Sequence, residues 1–584
     1  MNSNRKVRLV SLVGVSAAAL IAGMSITPAV AQVTFDRLLN ADEEPENWLT
    51  NHGNYSSHRH SGLDQIDRSN VGGLNLAFAV ALSGVETGNN SMQATPLVDN
   101  GAMYVVNGWG VVSRIDVSSG DRGTITWDMD PGVDPSAAGI RANRGVALLG
   151  DSVYTVSFDG RVNRTAAATG ELLYSVVGLD PVEQPLGYLT AAPLAVNDSL
   201  IIGSSGADSG VRGWIQSHDA ETGDINWRRY IIPSPGEPGS ETWLGDWNAW
   251  EVGGGSAWVT GSYDAEQNLL IWGTGNPAPD FDNSARPGDN LYTNSALALD
   301  ADSGEIAWYF QYTPNDVWDF DEVGVHTLFD VEIDGTTRRV LGHSARNGFY
   351  YTLDRVTGEF VAGDQYVTEL NWTAGIDQKT GLPIDYDPNS DVQSYAGIAT
   401  PTHDNPIVEV CPTIGGGNNY YPSSYDPSRQ LYYIQGIENC SRIEQIAYGP
   451  GEWDVGENPG FGQIQPTNPQ SMTSLTAVDV TTGEVVNQVI EQYASYGGLL
   501  STEGDLLFGG YLDGSFKAYD LDTLDVLWSI NMGTPFNAPP ISYEVDGQQY
   551  IAIIAGVGFI ARSNLTGDEI QNIKTTSYLF VFSL

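Results

Sequence analysis

Short runs of apolar and β-branched residues recur along most of the chain, and glycine, asparagine or aspartate stands beside each run. Examples are AMYVVNG, SLIIGSS, NLLIWGTG, QLYYIQG, DLLFGGY and YIAIIAG. Runs of this length with turn residues around them are typical of buried β-strands. A helical apolar period is not sustained over about a dozen residues anywhere. The pattern therefore predicts an all-β protein.

A turn motif separates many of these runs. A small or apolar residue is followed by Asp, two variable residues, Thr or Ser, Gly, and often an aromatic residue. Copies end at Trp127, Tyr174, Trp227, Trp308, Phe360 and Trp528, and another lies near Asp479. Each copy predicts a hairpin, because glycine allows positive φ and the Asp side chain can bond the turn backbone.

Hairpins that recur at roughly forty to fifty residues predict a β-propeller, since one blade cannot bury both of its faces. The C-terminal segment Thr576–Leu584 reads as a strand with no later partner. We expect it to close the ring by pairing with a strand near the mature N-terminus. No linker marks a second domain, so residues 32–584 are expected to form one domain.

Residues 1–31 have the features of an export signal. A basic start is followed by an apolar run from Leu9 to about Ile26 and by an A-x-A cleavage site before Gln32. A membrane anchor is the alternative, but glycine and serine residues break the run. We therefore expect a periplasmic or secreted mature protein. No later segment is long and apolar enough to span a bilayer.

The 584-residue chain is strongly acidic, with 26 Lys and Arg against 72 Asp and Glu and a formal charge of −46. Without the three basic residues of the predicted signal the charge is −49. Such a field repels nucleic acid and anionic lipid. It is consistent with a basic protein partner, with a surface adapted to salt, or with both.

The sequence contains two cysteines, Cys411 and Cys440. In an exported protein an isolated pair is expected to form a disulfide. There is no C-x-x-C-H motif, so no c-type haem is carried on this chain. His58 and His60 have the spacing of metal ligands, but no third ligand is evident, and polar strand-edge residues are expected instead.

The stretch TPNDVWDFDEVGVH places four acids, Asp316, Asp319, Asp321 and Glu322, within seven residues. Trp318 and Phe320 lie between them. Surface acids need no large aromatic neighbours, so this crowding predicts a cation beside a pocket that the rings line. A surface loop stapled by Ca²⁺ is the alternative.

Several segments, taken in order, carry a more specific resemblance. They are NRGVAL, GSSGADSGVRG, GGGSAW, GTGNPAPD, RPGDN, WDFD, RNGFYYTLDR and CPTIGGGNNYYP. Over nearly all of the mature chain they resemble the quinoprotein alcohol dehydrogenases, the methanol and ethanol dehydrogenase family that uses pyrroloquinoline quinone (PQQ). The resemblance implies an eight-bladed β-propeller of four-stranded antiparallel blades with tryptophan-docking repeats. It also implies a periplasmic enzyme that oxidises small alcohols, and aldehydes as well.

The resemblance implies a cofactor site. Its residues would be Gln93, Arg144, Thr190, Ser205, Gly206, Ala207, Trp258, Arg346 and Asn419. The Trp258 ring would stack on PQQ, whereas a blade-docking role is the alternative for a tryptophan here. The arginines would bind a carboxylate or quinone oxygen, and the small residues would hydrogen-bond the PQQ carboxylates. Gln93 stands where many relatives have glutamate.

The resemblance also implies one metal ion, with Asp208, Asn276, Asp319 and Asp321 as its ligands. Asp208 replaces the family's glutamate, and a turn asparagine before proline is the alternative for Asn276. Asp319 would be the general base that takes the hydroxyl proton as hydride passes to the quinone.

The residue type at the position of Asp321 distinguishes two branches of the family. Calcium-type members have a small residue there, whereas lanthanide-type members have a second aspartate. Carboxylates two residues apart on an extended segment point the same way, so both could reach one ion. A third carboxylate favours a lanthanide(III), with Ca²⁺ as the alternative.

Another departure concerns Ala138 and Gly139, which stand where many relatives have a vicinal cysteine pair. A less covered cofactor face leaves a sugar or polyol dehydrogenase as the alternative. A non-catalytic envelope scaffold is the third interpretation.

Cys411 and Cys440 resemble a structural disulfide of the family. Without a haem on the chain, electrons should pass to a separate cytochrome c or another periplasmic acceptor. The sequence leaves monomer and homodimer open.

Overall fold

The computed structural model describes residues 1, 32–83, 90–134, 141–245, 249–333, 335–446, 464–556 and 567–584. Most of the predicted signal segment lies outside these ranges, as do Ala138 and Gly139. Nearly all regular structure in the described ranges is β-strand. The prediction of an all-β protein is confirmed.

Eight sheets in the described ranges contain four antiparallel strands each, and we number them in chain order. Sheet one comprises Leu97–Asp99, Ala102–Val106, Val112–Asp116 and Thr124–Met129. Sheet two comprises Ala147–Leu149, Ser152–Ser157, Arg161–Ala166 and Leu172–Val177. Sheet three comprises Leu194–Val196, Ser199–Gly203, Trp214–Asp219 and Ile225–Tyr230. Sheet four comprises Ser262–Asp264, Leu269–Gly273, Ser295–Asp300 and Ile306–Gln311.

The second half of the chain continues this pattern. Sheet five comprises Thr327–Ile333, Thr336–Ser344, Phe349–Asp354 and Phe360–Gln365. Sheet six comprises Ser424–Asp426, Leu431–Glu438, Met472–Asp479 and Val485–Glu491. Sheet seven comprises Leu499–Thr502, Leu506–Gly510, Ser515–Asp520 and Val526–Asn531, and His60–Ser61 joins it in parallel. Sheet eight comprises Asn75–Ala81, Tyr578–Ser583, Gln548–Ala555 and Ile541–Val545.

Smaller elements lie between the sheets. Asn90–Met92 pairs with Arg141–Asn143, and Ile407–Val410, Ser441–Glu444 and Gln465–Pro466 form a three-stranded sheet. The α-helices in the described ranges are Phe35–Leu39, Ala249–Val252 and Asp568–Gln571. Short 3₁₀ turns span Ala41–Glu43, Val71–Gly73, Ala207–Ser209, Ser240–Thr242 and Asn283–Ala285. None of the described helices is long and apolar enough to cross a membrane.

The repeated turns have the predicted geometry. The Asp219 carboxylate accepts hydrogen bonds from the backbone of Glu221 at 3.0 Å and Thr222 at 2.8 Å. Gly223, which ends this turn, has a φ of +79°. The Asp therefore fixes the turn, and the glycine supplies the backbone conformation that other residues rarely adopt.

The aromatic residue after each turn locks its sheet to the next one. Trp127 of sheet one donates its indole N–H to the Ala167 carbonyl in the turn of sheet two, at 3.1 Å. The same bond runs from Trp227 to Ala301, from Trp308 to Arg355 and from Trp528 to Leu74. A Cβ atom at Gly170 would lie 2.8 Å from the Trp127 ring, so glycine is required for this close contact.

The last sheet closes onto the first. The C-terminal strand Tyr578–Ser583 pairs antiparallel with Asn75–Ala81, as predicted. Tyr550 of sheet eight packs against Gly120 in the turn of sheet one. Each contact places one sheet beside the next, which is the arrangement that the sequence predicts for a propeller.

Candidate active site

The predicted site residues occupy equivalent places in successive sheets. Those just before a first strand are Gln93, Arg144, Thr190, Trp258 and Asn419. Those just after a second strand are Asp208, Asn276 and Arg346. The first and second strands of each sheet are antiparallel, so both kinds of position lie at the same edge. This explains how residues as far apart in sequence as Arg144 and Tyr420 meet.

One half of the site is arranged around Arg144, and we call it the cationic half. Its guanidinium donates to Thr190 Oγ1 at 2.6 Å and to the Trp258 carbonyl at 3.1 Å. It lies 4.5 Å from the Trp258 ring centroid and 4.6 Å from that of Tyr420. Burial lowers the pKa of Arg144 to about 10. In the described ranges Arg144 forms no ion pair within 4.0 Å.

In the part of the chain that the structure describes, two buried polar atoms at this end of the site have no hydrogen-bond partner. They are Arg144 Nε and Gln93 Oε1. The Arg144 carbonyl accepts a hydrogen bond from Thr95 at 3.1 Å, which keeps the segment after Gln93 next to the arginine. A buried polar atom without a partner is costly. These atoms therefore point to a polar ligand.

Hydroxyl groups and a tight turn complete this side. Thr190 Oγ1 lies 3.0 Å from Ser205 Oγ. Gly206 follows with a φ of +99°, and Ala207 begins a 3₁₀ turn. The sequence predicts these four residues as neighbours, and the structure brings Thr190 and Ser205 into contact.

Aromatic rings form the wall between the two halves. Trp258 is half-buried, and its ring centroid lies 6.4 Å from that of Tyr420. Asn419 does not face the site with free polar atoms, because its side chain donates to the Gly415 carbonyl at 2.8 Å and accepts from the Tyr420 amide at 2.9 Å. It fixes the turn that presents Tyr420. Tyr420 is a site residue that the sequence pattern did not indicate.

Asp321 is the centre of the acidic half. Its Oδ1 accepts from the backbone N–H of Asn276 at 2.8 Å. Its Oδ2 accepts from Trp258 Nε1 at 3.0 Å and pairs with Arg346 at 2.6 Å. Gly275 permits the first bond, because a Cβ there would collide with this carboxylate.

Asp319 lies near the same arginine, Arg346. Its Oδ1 is 3.6 Å from Arg346 NH1, and 14% of its side chain is exposed. Its φ is +61°, so the segment is not extended here as predicted. Burial raises the pKa of Asp319 well above its usual range, Arg346 opposes this rise, and Asp321 and Asp208 add to it.

Asp208 faces the same cluster from sheet three. Burial and the nearby Asp321 charge raise the pKa of Asp208 to about 6, and a hydrogen bond with Asn276 opposes the rise. Among the described residues, the oxygens of Asp208, Asp319 and Asp321 do not all lie within 4.8 Å of one another. The structure thus brings these side chains into one region, with Arg346 between two of them.

Two acids of the same stretch have structural roles, which corrects the prediction that one cation explains all four. The Asp316 carboxylate accepts from the Trp318 and Phe320 amides, both at 3.2 Å. Glu322 accepts from the Arg346 amide at 2.9 Å and lies 3.0 Å from His343 Nε2. Both acids are fully buried and hold the backbone of the site.

The expectation that Trp318 and Phe320 line a pocket is also wrong. Both side chains are fully buried in a hydrophobic cluster with Trp372 and Tyr395. Trp318 donates to the Ala399 carbonyl at 2.7 Å. These rings make the acidic segment rigid, and the partly exposed ring at the site is Trp258.

A disulfide supports the arginine of the acidic half. Cys411 and Cys440 are joined across a separation of 29 residues, which confirms the predicted disulfide. The segment that follows Cys411 accepts a hydrogen bond from Arg346 Nε at the Ile414 carbonyl, at 3.0 Å. Arg346 packs directly over Gly416, where any side chain would collide with it.

The chain is similar to known proteins over most of its length. The family model described as "PQQ: Glucose/ethanol/alcohol dehydrogenase, beta-propeller domain" matches residues 48–366 and 474–551. The quinohemoprotein alcohol dehydrogenase ADH-IIG of Pseudomonas putida is 34% identical over 93% of this chain and 77% of that protein. The chain belongs to the quinoprotein alcohol dehydrogenase family.

Other members of the family show the same likeness. Methanol dehydrogenase [cytochrome c] subunit 1 of Methylorubrum extorquens is 34% identical, over 93% of this chain and 89% of that protein. A solved structure of a europium-containing methanol dehydrogenase has a TM-score of 0.82 and 28% identity, over 94% of this chain and all of that chain. The β-propeller predicted from the repeats is therefore the fold of this family member.

Sequence reasoning missed two further residues of this quinoprotein site. Tyr496 packs in one cluster with Trp258 and Tyr420, and burial raises its pKa to about 12. Asp280 accepts a hydrogen bond from Asn276 Nδ2 at 2.9 Å. The spacing Asn-Pro-Ala-Pro-Asp was a usable signal for Asp280, since a tight turn brings residues four apart together. Tyr496 carries no local signal.

Proposed function

We propose that this protein is an exported PQQ-dependent dehydrogenase that oxidises small alcohols, and aldehydes as well, and passes electrons to a separate cytochrome c. The observation that carries this proposal is the meeting of two opposite charge environments at one tryptophan. Buried Arg144 lies on the Trp258 ring, and the carboxylate of Asp321 accepts from its indole nitrogen. An anionic cofactor and a cation can therefore bind side by side.

The cationic half fits PQQ, which is a flat tricyclic quinone with three carboxylates. Buried Arg144 has no carboxylate partner among the described residues, and an anion would supply one. Trp258 offers an aromatic face for stacking. The residues that would hold PQQ are Gln93, Arg144, Thr190, Ser205, Gly206, Ala207, Trp258, Arg346 and Asn419. Asn419 would act through its turn rather than by direct contact.

The acidic half fits a hard cation. Asp321 uses three of the roughly four lone pairs of its carboxylate in hydrogen bonds, so Oδ1 keeps one for an ion. The ligands would be Asp208, Asn276, Asp319 and Asp321, which all offer oxygen. We propose a lanthanide(III), and the similarity to a europium-containing methanol dehydrogenase supports this choice. Ca²⁺ is the alternative, since it takes the same donors.

Asp319 is proposed as the general base. Its partial exposure allows a substrate hydroxyl to approach, and its raised pKa favours proton uptake once it is ionised. Arg346 and a bound cation would hold it ionised before the reaction. When bound, PQQ supplies the two-electron acceptor and the ion supplies Lewis acidity. The chain itself holds the Asp319 carboxylate beside Arg346 and takes the proton on that carboxylate, while the buried rings of Trp318 and Phe320 keep the acidic segment rigid.

We propose that the eight four-stranded sheets are the blades of one closed ring and that residues 1–31 are an export signal. The contact of sheet eight with sheet one supports the ring. The basic start, apolar run and A-x-A site support the signal. Export places the enzyme in the periplasm, where cytochrome c acceptors are found.

The test of the proposed function is reconstitution of the metal-free protein. PQQ together with La³⁺ or Ca²⁺ is expected to give alcohol-dependent reduction of an artificial dye, whereas either component alone gives none. A parallel panel of polyols and sugars tests the alternative substrate class. Absence of dye reduction with every alcohol, aldehyde, polyol and sugar, despite bound PQQ, would contradict the proposal.

Electron transfer to a basic cytochrome c is expected to depend on salt. The mature charge of −49 should steer the partner, so the second-order rate constant should fall on the order of tenfold or more between low and moderate ionic strength. Stopped-flow mixing with a basic cytochrome measures this rate. A neutral dye is the control and should show little change. Equal salt dependence for both acceptors would show that the acidic surface does not steer the partner.

A further inference from the structure

Glu322 joins the acidic segment to the turn that carries Arg346. Its side chain is fully buried. Its Oε2 accepts from the backbone N–H of Arg346 at 2.9 Å and lies 3.0 Å from His343 Nε2. Its Oε1 accepts a longer bond, at 3.4 Å, from the backbone N–H of Asn347. The backbone N–H of Glu322 donates to the Thr274 carbonyl at 3.1 Å, so the acid is itself attached to the end of sheet four.

Two consecutive acids bind the two ends of one arginine. The Asp321 carboxylate pairs with the guanidinium of Arg346 at 2.6 Å. Glu322, the next residue, accepts from the backbone N–H of the same arginine. The position of a guanidinium depends on the backbone from which its side chain extends. The bond from Glu322 therefore fixes the origin of the Arg346 side chain relative to the acid that its head group meets.

A stack of buried rings supports Glu322 on its other side. The His343 ring lies parallel to the His326 ring, with centroids 4.1 Å apart and an angle of 2° between the planes. The Tyr312 hydroxyl lies 3.0 Å from His326 Nε2, and its ring centroid is 4.9 Å from that of His343. Both histidines are 1% exposed. Packed rings of this kind restrain His343, and His343 in turn restrains the Glu322 carboxylate, as a positioning residue requires.

We propose that Glu322 is a positioning residue that holds the Arg346 guanidinium in place for the cofactor. This inference rests on the proposed PQQ site, in which Arg346 binds a carboxylate or quinone oxygen. Glu322 acts through the backbone of the Arg346 turn and does not touch PQQ. An arginine binds an oxygen pair well only when its planar fork is correctly placed. Loss of Glu322 is therefore expected to weaken PQQ binding.

The test is a titration of PQQ into the PQQ-free protein with saturating La³⁺ or Ca²⁺, followed by quenching of tryptophan fluorescence. Glu322→Ala is expected to raise the Kd for PQQ about tenfold or more, because buried backbone N–H groups lose their acceptor. Glu322→Gln can keep an oxygen at the Oε2 position, which binds both Arg346 and His343, and should stay within about threefold of wild type.

Asp426→Ala is the matched control. Asp426 is another buried acid, and it accepts from the backbone N–H of Ser428 at 2.8 Å and of Arg429 at 3.2 Å. It ends the first strand of sheet six, whereas the site residues precede such strands. Its removal should lower the melting temperature and leave the Kd for PQQ within about threefold. A loss of PQQ binding as large as that in Glu322→Ala would overturn the proposal, because it would show a general effect of destabilisation.

A double-mutant cycle with Arg346 separates positioning from other effects. In an Arg346→Ala background, Glu322→Ala should change the Kd less than about threefold, because no guanidinium remains to be placed. Equal losses in both backgrounds would overturn the proposal, and so would an equal loss in Glu322→Gln, which would indicate an effect of charge. An unchanged Kd in Glu322→Ala would overturn this inference and leave the PQQ site intact. Wild type that binds no PQQ would overturn the proposed function, and this inference with it.

Discussion

Asp319→Asn is expected to lower kcat by about 100-fold or more while the protein keeps its fold and binds PQQ. The carboxylate is the proposed acceptor of the substrate proton, and an amide cannot take its place. Asparagine has nearly the same shape and tolerates the positive φ of +61° at this position better than most residues. Its oxygen can still bind a cation, so the expected loss is one of proton transfer.

The measurement is steady-state dye reduction by an alcohol, with PQQ and metal content determined on the same sample. Asp316→Asn is the matched control, since Asp316 lies three residues earlier and bonds the Trp318 and Phe320 amides. It should lower the melting temperature and leave the kcat of the folded protein within about threefold. Turnover near that of wild type in Asp319→Asn would remove Asp319 from the mechanism.

The fold could be predicted because short repeats in the sequence specify its hairpins. Each Asp-x-x-Thr/Ser-Gly turn specifies its own geometry, as the bonds of Asp219 and the positive φ of Gly223 show. The aromatic residue that follows then docks on the next turn, as Trp127 does on Ala167. The pairing of the C-terminal strand with an early strand could be predicted because no later segment could pair with it.

The site could be predicted less completely, because spacing does not show which atom a carboxylate bonds. Four acids in seven residues indicated one cation, yet Asp316 and Glu322 bond backbone amides of their own surroundings. Aromatic neighbours indicated a pocket, yet Trp318 packs into the core. Asp321 lies in the connection between sheets four and five and pairs with Arg346, which follows the second strand of sheet five. Sequence reveals such a contact only through family resemblance.

The identity of the bound metal is expected to have the second largest effect on activity. With PQQ present, La³⁺ or Ce³⁺ is expected to support activity on the order of tenfold or more above Ca²⁺. The two kinds of ion have similar size and accept similar oxygen donors, so charge is the main difference. Asp208, Asp319 and Asp321 gather in one region, and after burial the charges of Asp321 and Asp208 raise the pKa of Asp319. Such a cluster stabilises a trivalent ion more than a divalent one.

Asp321→Ala tests the origin of this preference and should lower lanthanide-supported kcat about 100-fold or more. The change also removes the partner of Trp258 and Arg346, so packing must be separated from charge. Asp321→Asn does this, because it keeps the volume and an acceptor oxygen but removes the negative charge. If charge sets the preference, Asp321→Asn loses lanthanide-supported activity and shifts the La³⁺-to-Ca²⁺ ratio toward Ca²⁺. Higher wild-type activity with Ca²⁺ than with La³⁺ or Ce³⁺ would contradict the lanthanide assignment, and Asp321 would then compensate for the shorter reach of Asp208 around a divalent ion.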